Sequence, residues 1–118
     1  MNIEKLTSQF QQDLGTAQSI AISHNNSAIE GLHVLSAMLS DVSSSVSNTL
    51  ESIKVDTVEL KNHVDHQIQN LAVVNNPNTD IGISQNLLRL LTATQKLATD
   101  MGDTYVSTEL FLLAIIQG

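Results

Sequence analysis

Residues 7–21, TSQFQQDLGTAQSIA, and residues 84–98, SQNLLRLLTATQKLA, are two versions of one pattern, and that pattern decides the fold. Sliding the chain on itself by 77 positions superimposes them without a gap: Phe10 meets Leu87, Leu14 meets Leu91, Gln18 meets Gln95 and Ala21 meets Ala98. Each copy opens on a hydroxyl residue, Thr7 or Ser84, a residue type that caps a helix start by accepting a backbone N–H. The apolar residues then recur in steps of three and four, which line one face of an α-helix. The register continues downstream, with Ile29 on Val106, Leu35 on Leu112, Ala37 on Ala114, and Glu30 on Ser107. Few identities survive, but the apolar pattern does, which is the mark of an internal repeat.

Working outward, the first helix carries Leu6, Phe10, Leu14, Ala17 and Ala21 on its inner face and ends near His24. The polar run His24-Asn25-Asn26-Ser27 turns the chain, and Leu32, Val34, Leu35, Met38 and Leu39 predict a short second helix. Ser43-Ser44-Ser45 and Asp56 read as N-cap regions for helices over about 45–53 and 56–71, with Asp56 and Glu59 spaced as a capping box. Residues 75–82, NNPNTDIG, hold the only proline and no helical period, so the seam falls there. Ser84 caps a fifth helix running to about Met101, with Leu87, Leu91, Leu97 and Ala98 inward, and Gly102 stands where a left-handed C-cap is expected. Ser107 caps a sixth, whose run from Leu110 to Ile116 is apolar all round and reads as a helix buried at the centre of a bundle.

The expected fold is therefore all-α: one domain over residues 1–118, with repeat one over about 4–71, a loop over about 72–83 and a second repeat over about 84–118. Two further helices follow the pair in repeat one, whereas repeat two stops after its pair. The expectation is a fragment of a longer chain that would add about two short helices.

Composition narrows the function. Twelve Asp and Glu against five Lys and Arg give a formal charge of −7, which repels a phosphate backbone, so nucleic acid is not an expected partner. Aromatics are 3% of residues and Trp is absent, which leaves no material for a base-stacking platform or an aromatic cage. Without cysteine there is no disulfide, thiolate nucleophile or thiolate metal site. The start, MNIEKLTSQF, lacks a basic region followed by an apolar stretch, and no apolar run reaches the ~18 residues of a spanning helix, so a soluble, cytoplasmic protein without a membrane partner is expected.

The candidate chemistry is sparse. His63 and His66, with Asp65 between them, sit at i, i+3 where zinc helices favour i, i+4, and no third ligand accompanies them; the expectation is exposed histidines and no metal. His33 lies within an apolar helix and reads as a satisfied, partly buried residue. Asp100, Asp103 and Glu109 have no nucleophile or oxyanion donor beside them, and no GxxxxGK[ST] loop occurs, so neither a catalytic residue nor nucleotide hydrolysis is expected. Thr7 and Glu109 are both explained as helix-start residues, one as a cap and one by the helix dipole.

The strings Lys5-Leu6-Thr7-Ser8-Gln9-Phe10-Gln11, Ala17-Gln18-Ser19-Ile20-Ala21 and Ile29-Glu30-Gly31-Leu32-His33 resemble the opening helices of ClpB-type N-terminal domains. Residues 102–114, GDTYVSTELFLLA, resemble that family's second repeat more closely still. The resemblance spans the chain and implies two Clp-type repeats of four helices each, so the second copy here lacks half a unit. It also implies a parent that is a hexameric AAA+ ATPase using ATP and Mg to thread aggregated polypeptides, working with an Hsp70 system, in which this domain, itself without a cofactor and monomeric in isolation, catches unfolded or aggregated proteins. The family's substrate-contact patch includes a Thr, an Asp and a Glu that match Thr7, Asp103 and Glu109, and Leu88, Leu91 and Leu110 are candidates for an adjoining apolar groove. Two departures matter. Gly31 stands where many relatives carry a helix-starting proline. Leu32 stands where Glu109 falls in the second repeat, which argues against the paired acidic positions with which ClpC-type relatives recognise phosphorylated arginine. Two other classes stay open at this point: a regulatory module that docks on the parent ring or an adaptor, and a free-standing helical enzyme.

Overall fold

The computed structural model describes residues 3–41, 43–74 and 81–117. After a 3-10 turn at Ile3–Lys5, six helices follow: α1 (Ser8–Ser23), α2 (Gly31–Ser40), α3 (Ser45–Ser52), α4 (Thr57–Gln69), α5 (Gln85–Asp100) and α6 (Thr108–Gln117). Among the described residues no strand forms beyond three isolated bridges, so the chain is all-α. Much of the proposed seam, residues 75–80, lies outside the described residues.

The helix starts are set by the side chains expected to set them. Thr7 Oγ1 accepts the Phe10 N–H at 3.2 Å, Ser44 Oγ the Ser47 N–H at 3.1 Å, Asp56 Oδ1 the Glu59 N–H at 3.1 Å and Ser84 Oγ the Leu87 N–H at 3.0 Å. Each such cap is worth about 1 kcal/mol to its helix. Ser107 accepts the Leu110 N–H at a longer 3.4 Å. The box spacing at Asp56 and Glu59 gives only the cap half of the motif; a return bond of that type is made at α2, where Nδ1 of His33 accepts the N–H of Glu30 at 2.8 Å. At the other end, Gly102 has φ +75° and Asn25 φ +56°, the left-handed residues that close α5 and α1.

The repeat predicted from the apolar pattern is carried by the backbone bond for bond. The segment before α1 bridges the segment before α6, with Thr7 N–H to Val106 O at 3.0 Å and Val106 N–H to Lys5 O at 2.7 Å. Seventy-seven positions on, the segment before α5 bridges the segment before α2, with Ser84 N–H to Ile29 O at 3.0 Å and Ile29 N–H to Gly82 O at 2.9 Å. Both turns use the same closing bond, Asn26 N–H to Ala21 O and Asp103 N–H to Ala98 O. Each repeat thus hands the start of its first helix to the other, and the two are clasped reciprocally.

Side chains fill the clasp. Phe10 of α1 and Phe111 of α6 meet edge to face with ring centroids 5.5 Å apart, both fully buried, a geometry worth about 0.5–1.5 kcal/mol beyond burial itself. Leu87 of α5 and Val34 of α2, their counterparts by the repeat, are likewise fully buried. Gly31 begins α2, and a Cβ there would come within 3.1 Å of the Leu90 side chain, so its missing methyl makes room for α5 to approach. In repeat one α4 then crosses α2, where Asp65 accepts from Ser36 at 2.7 Å and from Lys61 at 2.6 Å. Burial alone would raise the Asp65 pKa, but these two hydrogen bonds and the Lys61 charge carry it below the usual range.

One expectation fails here. Helix α6 is not enclosed on all sides: Phe111 and Ala114 are buried, but Ile116 is 69% exposed, because only α5, α3 and the clasp cover the helix among the described residues.

Candidate binding surface

The Leu6–Val106 bridge places the start of α1 against the α5–α6 loop, with Thr7 next to Leu6 in the chain and Asp103 and Glu109 three residues either side of Val106. Thr7 is half-buried and spends its hydroxyl oxygen on the α1 cap. Asp103 is exposed three residues before Val106, in a small cleft shared with Lys5, Gln95, Thr99 and Thr104. Glu109 is half-buried in the first turn of α6, and its Oε1 is enclosed without a hydrogen-bond partner. A carboxylate there is favoured by the helix dipole.

The three leucines do not behave alike. Leu88 is 41% exposed, in the first turn of α5 beyond the second bridge, Ile29–Ile83. Leu91 and Leu110 are 3% and 6% exposed and belong to the core, so they cannot line an accessible groove in this conformation. The reason is period: both lie on the inner stripes of α5 and α6, the same stripes that carry Leu87, Ala98, Phe111 and Ala114.

Sequence reasoning passed over two neighbours of Thr7. A cleft of about 390 Å³ on that side of the bridge is lined by Glu4, Leu6, Thr7, Ser8, Gln11 and Tyr105. Gln11 fixes the turn that leads into α1, its Nε2 donating to Ile3 O at 3.2 Å and Leu6 O at 3.1 Å. Tyr105 is the single tyrosine, and it sits in a loop between two helices, a placement that pairs an exposed aromatic with a fixed backbone. A second opening, about 420 Å³, runs between α5 and α6 past Ala93, Leu97 and Ala114, with the exposed Lys96–Asp100 pair (2.9 Å) at its rim. Such an exposed pair contributes little to stability.

The histidines are of two kinds. His63 and His66 are exposed on α4, and among the described residues no group of three or more His, Cys, Asp or Glu is arranged to hold a metal. His33 is fully buried rather than partly so. Its Nδ1 accepts from Glu30, its Nε2 meets Asn26 Oδ1 at 2.9 Å, and Asn26 Nδ2 donates to Ala72 O at 3.1 Å. The Nδ1 bond requires the neutral ring with its proton on Nε2. Burial accordingly holds its pKa below the usual histidine value, opposed by the Glu30 charge and aided by His24.

A clasped pair of helical repeats is an architecture of the kind built from tandem helical units. The sequence places it within one family. Residues 5–118 match the model of the Clp repeat (R) N-terminal domain, and the chain belongs to that family. It is 36% identical to the chaperone protein ClpB of Pseudomonas putida over 117 residues, 99% of this chain, and 30% identical to that of Vibrio cholerae over the same span. It covers 14% of the length of each. Among solved structures it is similar to the Hsp104 N-terminal domain of Candida albicans, with a TM-score of 0.84 at 21% identity over 93% of this chain and 72% of that one. It is also similar to a ClpV N-domain in complex with a VipB peptide, with a TM-score of 0.79 at 21% identity over 98% of this chain and 69% of that one. These likenesses establish the fold. Among the described residues no helix is long and apolar enough to cross a membrane.

Proposed function

We propose that this chain is the substrate-recognition domain of a protein-disaggregating, ATP-dependent chaperone of the cytoplasm, and that it captures unfolded or aggregated polypeptide at the surface around the Leu6–Val106 bridge. The observation that supports this reading is the bridge itself, which joins the segment carrying Thr7 to Val106, three residues after Asp103 and three before Glu109 in the chain. An unfolded segment has unpaired backbone N–H groups and exposed apolar side chains. The exposed carboxylate of Asp103 accepts hydrogen bonds, the carboxylate of Glu109 adds charge in the first turn of α6, and Tyr105, exposed in the same loop as Asp103, offers apolar area. Contacts of this kind are weak and tolerant of client sequence, and the acidic rim favours clients that carry Lys or Arg. Nucleotide chemistry, with ATP and Mg, belongs to other domains of a hexameric whole protein, as does cooperation with an Hsp70 system.

The test is the affinity of the domain for a permanently unfolded, fluorescently labelled client, read by anisotropy. Asp103→Ala and Glu109→Ala each weaken binding severalfold while the far-ultraviolet circular dichroism and melting temperature stay unchanged. Unaltered affinity in both variants would defeat the reading.

A second reading, a docking site for an adaptor rather than for clients, is supported by the ClpV N-domain whose complex carries a VipB peptide. The same surface would serve. A domain that binds no unfolded polypeptide, in a whole protein whose ATPase rate falls when the domain is removed, selects this alternative.

A further inference from the structure

A buried polar chain runs through the first repeat, and His33 is its hub. Both ring nitrogens are engaged: Nδ1 accepts the Glu30 N–H at 2.8 Å and Nε2 donates to Asn26 Oδ1 at 2.9 Å. Asn26, itself buried, passes the link on, its Nδ2 donating to Ala72 O at 3.1 Å. Beside it Val74 N–H donates to Asn25 O at 2.8 Å, so the segment leaving α4 is tied to the turn that follows α1. From Glu30 the chain continues into the second repeat, because Glu30 Oε1 accepts the Ser84 hydroxyl at 2.6 Å and Ser84 in turn caps α5. The clasp does not need this wiring. At the Leu6–Val106 bridge the equivalent positions hold Asp103 for Asn26, Ser107 for Glu30 and Leu110 for His33, and the same backbone bonds form.

The geometry points to a proton-operated latch between the repeats: a proton taken up by His33 transfers the Glu30 carboxylate from Ser84 to the imidazolium and slackens the Asn26–Ala72 tie. The device is independent of what the domain binds. The neutral ring has one free lone pair, on Nδ1, and the Glu30 N–H occupies it. A proton there sets donor against donor, so that bond is lost and the ring turns. A buried imidazolium needs a counter-charge, and the one acting on it is the Glu30 carboxylate at the N-cap of the same helix. Meeting it takes the carboxylate off Ser84 and withdraws Nε2–H from Asn26. The other charges on the helices around α2 do not compete. His24, at the end of α1, opposes a positive ring, and Asp13 of α1 accepts from Gln9. Lys61 and Asp65 of α4 pair with each other at 2.6 Å, Glu51 of α3 accepts from Thr57, and Arg89 of α5 donates to Asn86. Burial lowers the His33 pKa more than Glu30 raises it, so the latch is closed at neutral pH and opens on the acid side of the usual histidine value.

The test is a titration of the isotopically labelled 118-residue chain from neutral to mildly acidic pH, followed by nuclear magnetic resonance with circular dichroism alongside. The His33 ring, the Asn26 side-chain amide and the backbone amides of Glu30, Val74 and Ser84 move together, with one midpoint below about 6.5. Over the same range the far-ultraviolet signal holds, and the amides of Thr7 and Val106, at the bridge without the latch, stay still. In His24→Gln the response persists and its midpoint rises, because a positive charge that opposes protonation of His33 is gone. The decisive variant is Glu30→Gln, at a half-buried position: its amide oxygen still accepts from Ser84 but carries no charge, so the His33 midpoint falls and Ser84 no longer follows it. Val74 and Ser84 amides that stay put while His33 titrates, a Ser84 response that survives unchanged in Glu30→Gln, or a His33 ring that takes up its proton only as the far-ultraviolet signal is lost, each overturns the latch and leaves His33 a core residue.

Discussion

The first repeat and the second differ most where their backbones agree best. Leu39 in α2 and Ile116 in α6 occupy the same place in the repeat, yet Leu39 is 3% exposed, in a helix that packs on both α1 and α4, and Ile116 is open to solvent. His33 and Leu110 are another such pair: one anchors a chain of hydrogen bonds through Asn26 to Ala72, and the other is plain core. Asn26 and Asp103 are a third, one buried in that chain and one exposed beside the Val106 bridge. The first copy has become a closed, internally satisfied unit. The second keeps the same helix pair but leaves its acids and part of its apolar face outward. A repeat can thus preserve every clasp bond while dividing labour between its copies, because clasp bonds belong to the backbone and the division belongs to side chains that face away from it.

Five substitutions break or sharpen that comparison. The largest effect is expected at the join: Phe111→Ala removes one partner of the edge-to-face pair and leaves a cavity between the repeats, costing about 3–5 kcal/mol in denaturant unfolding. Next is the matched pair at the covered and open faces. Leu39→Ala costs about 2–5 kcal/mol, whereas Ile116→Ala stays within about 0.5 kcal/mol, and equal costs would show that the two faces are not so different.

The buried histidine comes third. His33→Leu copies the second repeat into the first and strands the Glu30 N–H and Asn26 Oδ1, for about 2 kcal/mol. It also changes the pH profile. The His33 pKa is depressed in the fold, so the unfolded chain binds the proton more readily. The contribution of His33 is therefore complete above the unfolded histidine pKa of about 6.5 and is lost as pH falls below it towards the folded value. Urea midpoints measured across that window drop for the parent chain and lose the part of the drop due to this residue in the variant.

The smallest effect has the opposite sign. Asp13 is buried in α1, and desolvation, with the nearby Asp41 charge, raises its pKa despite the hydrogen bond from Gln9 (3.0 Å). A raised carboxyl pKa stabilises the fold below the unfolded value and the benefit is lost as pH rises through the folded value. Asp13→Asn accordingly raises the melting temperature at neutral pH and has no such advantage in acid, where the native carboxyl is already protonated.

Much of this was legible in the sequence because it depends on period. The stripes Phe10–Ala17–Ala21 and Leu87–Leu91–Ala98 announce two copies of one helix, and Thr7, Ser44, Asp56 and Ser84 announce their own caps. The same logic misjudged α6, since an all-apolar run does not say which neighbours are there to cover it. The period put Leu91 on the inner stripe, where it is buried; the groove role that the resemblance offered for Leu91 and Leu110 has no accessible surface behind it in this conformation. The cleft beside Thr7 was not legible at all. Gln11 and Tyr105 are separated by 94 positions and meet only through the Leu6–Val106 bridge, a pairing that no helical period encodes.

The asymmetry itself is tested most directly by adding an unfolded, unlabelled client to the isotopically labelled chain and following the backbone amide shifts of both repeats in one titration. Shifts that concentrate at Thr7, Asp103, Tyr105 and Glu109, with their counterparts Ser84, Asn26, Ala28 and Leu32 unmoved, are the predicted result. Equal shifts at the two sets, or a response confined to the first repeat, would contradict a single binding surface built on the second.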